Sequence, residues 1–118
     1  MLAKDALVLE GLNGVGNTTL VELIKFFRAH RMSHLNELAA TDLRQVAVLK
    51  RAASPLTQMF AHGDYDERRR VCERSLDEWT RAGINAVVYG SAEYPDQLLA
   101  LKNPPALLFC KGNPALLK

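Results

Sequence analysis

The stretch Leu9-Glu10-Gly11-Leu12-Asn13-Gly14-Val15-Gly16-Asn17-Thr18-Thr19-Leu20 gathers the residues best suited to holding a phosphate. Glycine permits the tight backbone path of Gly14-Val15-Gly16, and the free amides at the start of a following helix attract an anion. The candidate contacts are Gly14, Gly16, Asn17 and Thr18, with Lys25 or Arg28 supplying positive charge from the same helix. Contacts of this kind hold a nucleic-acid backbone without reading its sequence. The same turn serves equally well to pack two helices together, and the residues alone leave both readings open. Gly11 to Thr18 also fits G-x-x-x-x-G-x-[ST], with Ala6-Leu7-Val8-Leu9 as a preceding strand, but Asn17 stands where the phosphate-reaching lysine belongs. His30 and His34, four apart, have the spacing of a helical metal pair but lack a companion carboxylate or cysteine motif. Cys72 falls on an apolar helical stripe, the setting of a buried thiol and not of a nucleophile. No Ser/His/Asp set or carboxylate pair emerges from spacing. The sequence therefore gives no reason to expect an enzyme, a cofactor or a metal.

The elements that must position these residues are mainly helical. Leu20, Leu23, Ile24 and Phe27 repeat at i, i+3, i+4, i+7, which predicts a helix with Asn17 or Thr18 as its N-cap. A second helix is predicted from Thr41-Asp42, with Leu43, Val46, Ala47 and Leu49 inward, ending at Ser54-Pro55. A short helix lined by Leu56, Met59 and Phe60 follows. A long one, from about residue 65 to 82, turns Val71, Cys72, Ser75, Leu76 and Trp79 inward and stops at Gly83. Beyond Gly83 the pattern changes. Residues 84–89 and 106–110 are short, apolar and bounded by glycine or proline, and read as strands around a short helix over 95–101. The organisation predicted is a helical bundle over 1–83 followed by an α/β segment over 84–118.

Composition is that of an ordinary globular chain: 118 residues, 48% hydrophobic, 24% charged, net charge +2. No apolar run has the length of a membrane span, and the N-terminus lacks the order of a secretion signal. Two widely separated cysteines argue against a disulfide framework and for a cytoplasmic setting. Arg68-Arg69-Arg70 and Arg74 are interleaved with Asp66, Glu67, Glu73, Asp77 and Glu78, the pattern of a solvated helix face.

Residues 83–117, GINAVVYGSAEYPDQLLALKNPPALLFCKGNPALL, resemble the segment that leads into the Rossmann-like domain of the DprA/Smf DNA-processing family. The resemblance is carried by Gly83-Ile84, Val87-Val88, Tyr94-Pro95, Leu98, Leu101, Pro104-Pro105, Leu107, Phe109, Lys111-Gly112-Asn113 and Leu116-Leu117. It extends more loosely over 6–28, where Gly14-Val15-Gly16 resembles the turn of a helix-hairpin-helix or sterile-alpha-motif-like domain. The resemblance implies a SAM-like or helix-hairpin-helix-like bundle, then the edge of a Rossmann-like domain that this chain does not complete. It implies a parent protein that binds single-stranded DNA and loads a recombinase during natural transformation. The family's DNA groove, with its Gly-Ser-Arg and glycine-rich turns, lies on the part not present here, so its binding residues have no counterpart to carry over. The expected partners are single-stranded DNA and a recombinase or other protein, with no membrane. An exposed strand edge adds the prospect of self-association. The alternative is a protein-docking domain that never touches DNA.

Overall fold

The computed structural model describes residues 1–12, 16–40, 50, 52–113 and 116. Among these, the chain is mainly helical and carries one small antiparallel sheet. In order, α1 spans Ala3–Glu10, α2 Asn17–Ala29, a 3-10 turn Leu35–Ala40, α3 Ala53–Ala61, α4 Asp64–Arg81, β1 Ile84–Val88, α5 Asp96–Leu99 and β2 Leu107–Lys111. The helix predicted from Thr41-Asp42, with its four inward residues, lies outside the described residues. No described helix is long and apolar enough to cross a membrane.

Helical periodicity gave the central element correctly. Leu20, Leu23, Ile24 and Phe27 of α2 are all buried, and they meet Ala6, Val8 and Leu9 of α1 in one apolar cluster. Leu35, Leu38, Leu56 and Met59 complete its floor. Burial of such side chains contributes ~1.5–3 kcal/mol each, the main force holding the short helices together. The stretch Ala6–Leu9 is helical, which removes the strand that a nucleotide-binding P-loop requires.

Two local expectations need correction. The N-cap of α2 is Gly16, and Asn17 is already the first helical residue. Asn17 and Thr18 make no cap because their polar side chains are bonded to residues 103–106, far along the chain. On α4, Tyr65, Cys72, Leu76 and Trp79 share the inward stripe, but Val71 is 48% exposed. At 100° per residue Val71 sits roughly 110° from the centre of that stripe, outside it.

Gly83, at φ +79°, ends α4 in the left-handed conformation and reverses the chain into β1. β1 pairs antiparallel with β2, with Ala86 opposite Phe109 and Val88 opposite Leu107. Trp79 packs edge-on against Phe109, ring centroids 5.0 Å apart, which seats α4 on that face of the sheet. The 89–106 connection is held from inside. Buried Tyr94 donates its hydroxyl to the Pro105 carbonyl at 2.7 Å and stacks edge-on against Tyr89. Val88, Ala106 and Leu107 join the same cluster as α1 and α2, so hairpin and helices share one core.

Candidate functional site

The start of α2 is where the sequence placed its phosphate contacts. The first bond of the helical ladder runs from the Leu20 N–H to the Gly16 carbonyl, so the amides of Asn17, Thr18 and Thr19 precede it. These three amides and the helix dipole give the end a partial positive charge. Gly16 is exposed, at φ −81°, with no atom within 4 Å of the point where a Cβ would stand. Gly14 lies outside the described residues.

Asn17 is the pivot of this region. Its Nδ2 donates to the Pro104 carbonyl at 2.8 Å, and its Oδ1 accepts the Ala106 N–H at 3.0 Å. A carbonyl can only accept and an N–H can only donate, so the two partners fix the amide's orientation. Thr18 adds a hydroxyl bond to Asn103 Oδ1 at 3.1 Å. Prolines 104 and 105 have no N–H for a ladder, and both their carbonyls are taken by side chains, Asn17 and Tyr94. The α2 terminus is thus clasped to the strand that leads into β2.

Beside the clasp, α2 and the 99–104 loop enclose a small cavity of about 140 Å3. Thr18, Glu22, Lys25, Lys102 and Asn103 supply its polar lining, one carboxylate among them, and Val21, Leu99 and Pro104 part of the apolar remainder. Lys25 is exposed and pairs with Glu22 at 3.4 Å. Arg28 goes elsewhere. Its guanidinium lies over the turn at Gly90, where a Cβ would come within 2.6 Å of Nη1. Of the six predicted contacts, the structure therefore brings Thr18 and Lys25 to one cavity. Asn17 is beside it as a clasp, Gly16 at the helix start, and Arg28 on another turn. Sequence reasoning missed Lys102 and Asn103, which carry no local signal and reach the site only through the fold.

The remaining candidates resolve differently. His30 caps α2, with Nδ1 3.0 Å from the Phe26 carbonyl and its ring stacked on Phe26. His34 lies beyond the helix end, its Nδ1 3.7 Å from Oδ2 of the fully buried Asp5. The two histidines do not share a helix face. Asp5 accepts the Tyr65 hydroxyl at 3.1 Å, and burial, followed by the Asp5 charge, pushes that phenol up to about 12. Nearby, Glu73 is bonded to Lys4 at 2.9 Å and pairs with Arg69 at 3.4 Å, linking α1 to α4. The Lys4 hydrogen bond holds the Glu73 carboxyl below the usual range. A wider groove of about 370 Å3 runs between α1 and α4 over Leu7, Val8, Val71 and Cys72. Burial raises the Cys72 thiol above its ordinary value, which disfavours the reactive thiolate. Compared with known proteins, the chain matches no family model, and no curated protein and no solved structure matches it either.

Proposed function

We propose that this chain is the N-terminal accessory module of a DprA/Smf-like DNA-processing protein, and that the start of α2 touches the backbone of single-stranded DNA. In that reading residues 1–83 are a SAM-like or helix-hairpin-helix-like bundle, and 84–118 form the first edge of a Rossmann-like domain. The parent protein would bind single-stranded DNA mainly through that further domain and load a recombinase. The observation that carries the reading is the convergence of Thr18, Lys25, Lys102 and Asn103 on one cavity beside the first-turn amides of α2, which bond to no described residue. A phosphate there meets the Lys102 ammonium, a Lys25 ammonium already paired with the Glu22 carboxylate of the same cavity, and a helix N-terminus, contacts that carry no base readout. Binding is then weak, indifferent to sequence and strongly salt-dependent.

A second reading, docking of a protein partner without DNA, is favoured by the commitment of the Asn17 and Thr18 side chains to the clasp and of Lys25 to Glu22. Gly16→Glu separates the two. The site has room for the side chain, so the fold is kept while a carboxylate faces any incoming phosphate. In a low-salt titration with short single-stranded and duplex DNA, the wild type binds at micromolar affinity or weaker and Gly16→Glu loses that binding. The wild-type signal disappears by ~200 mM salt. Equal binding by both proteins, or none by either, would leave protein docking as the function.

A further inference from the structure

We infer that Arg28 holds a second phosphate of the same strand, so that single-stranded nucleic acid runs along α2 beyond its first turn. The inference rests on the α2 start being a phosphate contact, and it gives that contact a direction and a length. The way Arg28 is held carries it. Its guanidinium lies against Gly90, at φ +74°, where a Cβ would stand 2.6 Å from Nη1, 2.9 Å from Cζ and 3.4 Å from Nε. Only glycine leaves room for that approach, so the turn is a seat for the guanidinium. The turn itself is closed by the Ser91 N–H, which donates to the Val88 carbonyl at 3.0 Å. Among the described residues, no hydrogen bond and no ion pair uses the guanidinium, although Arg28 is exposed. Its five N–H donors are therefore positioned by packing and left unspent. A planar fork of donors at a fixed place suits the oxygens of a phosphate, which it can bind in pairs.

The position of Arg28 makes it a continuation of the cavity. At 100° per residue, Thr18, Lys25 and Arg28 fall within roughly 80° of the α2 circumference, on the flank where Val21 faces the 99–104 loop. That flank is one seam between α2 and the hairpin. It runs from the Asn17 and Thr18 bonds, through the cavity of Lys25, Tyr89 and Lys102, to the Gly90 seat. From Thr18 to Arg28 the helix rises ~15 Å, the reach of about four or five nucleotides at ~3.4 Å each. Lys25 and Arg28, three apart, are surface neighbours at about 5–6 Å, so the two contacts fall to nearby phosphates of one strand. Among the described residues lining the cavity, Glu22 is the one carboxylate, and Lys25 pairs with it.

Titration of the full chain with a thymidine dinucleotide and a thymidine hexanucleotide tests this. For a single strand, each phosphate neutralised contributes ~0.7 to the fall of log affinity with log salt. Two contacts predict a slope of about −1.4 for the hexanucleotide on the wild type. Arg28→Gln should bring that slope to about −0.7 and weaken binding about tenfold in ~20 mM salt. The dinucleotide has a single phosphate and should lose nothing by the same substitution. Arg28→Lys keeps the charge without the fork, and should weaken the hexanucleotide while leaving the slope intact. That variant remains decisive even where Arg28→Gln fails to fold, and wild-type affinity in it would overturn the seat. A wild type that binds neither oligonucleotide would sink the α2 contact and this inference with it. Unchanged hexanucleotide affinity and slope in Arg28→Gln, with Gly16→Glu still impaired, would overturn the second contact alone. So would a hexaglutamate peptide that displaces the bound hexanucleotide as well as unlabelled hexanucleotide does.

Discussion

Replacing Asn17 by alanine removes both bonds of the clasp, to the Pro104 carbonyl and the Ala106 N–H. Each such bond contributes ~0.5–1.5 kcal/mol, and the two partners are left part-buried without replacements, which sets the loss at about 2–3 kcal/mol. For a chain of this length that lowers the Tm by roughly 8–15 °C. Asn17→Asp refines the argument. It keeps an oxygen for the Ala106 N–H and adds ~0.3–1 kcal/mol at the helix N-terminus, but it sets a second oxygen against the Pro104 carbonyl, 2.8 Å from the atom it replaces. At neutral pH the aspartate variant should fall between wild type and alanine. Below about pH 4 its carboxyl gains a proton, can again donate to Pro104, and should recover stability relative to wild type. Urea unfolding followed by circular dichroism, with hydrogen exchange at the Tyr89 and Gly112 amides, reads both the global and the hairpin response. An alanine loss under ~0.5 kcal/mol, or identical alanine and aspartate variants at every pH, would refute the clasp.

Three further outcomes follow from local geometry. Arg31 follows the C-cap of α2 at φ +55°, with Met32 N–H bonded to the Phe27 carbonyl; Arg31→Gly relieves that strain and should add ~0.5–1 kcal/mol in thermal unfolding. Gly90→Ala should cost ~1–2 kcal/mol, because φ +74° disfavours a side chain and the Arg28 guanidinium must yield; an unchanged urea midpoint would contradict this. The Tyr65 phenol, raised from 10.0 to about 12, keeps its stabilising contribution below pH 10 and loses it as pH climbs from 10 to 12, since the fold favours the neutral form more than the unfolded chain does. Absorbance at the tyrosinate band should show this late step, and Asp5→Asn should move it toward the ordinary range.

The parts of the fold visible in the sequence are those written in local spacing. The α2 stripe, the end of α4 at Gly83 and the two short strands depend on residues within a few positions of one another, and each lies where its pattern puts it within a residue or two. The N-cap of α2 failed because capping is a weak local preference. A partner 87 residues away captured Asn17 before it could serve its own helix. Val71 failed for a geometric reason, since it is apolar but off the stripe axis. Asp5 gave no sign of burial, because its acceptability inside the core depends on Tyr65, which is 60 residues distant. The candidate site was half legible for the same cause. Thr18 and Lys25 share one helix, while Lys102 and Asn103 arrive only after the chain has folded back.

The clasp also imposes an order on biosynthesis. Asn17 leaves the ribosome early, yet its Ala106 partner is 89 residues further on. At ~5–20 residues per second, that separation is an interval of roughly 4–18 s during which the first turn of α2 must be solvated by water. The helical cluster can collapse in that window, since Leu20, Leu23, Ile24 and Phe27 meet α1 from nearby sequence. Its N-terminal turn cannot be closed until the strand after Pro105 has emerged, so a segment made well after the first helices is the one that seals them.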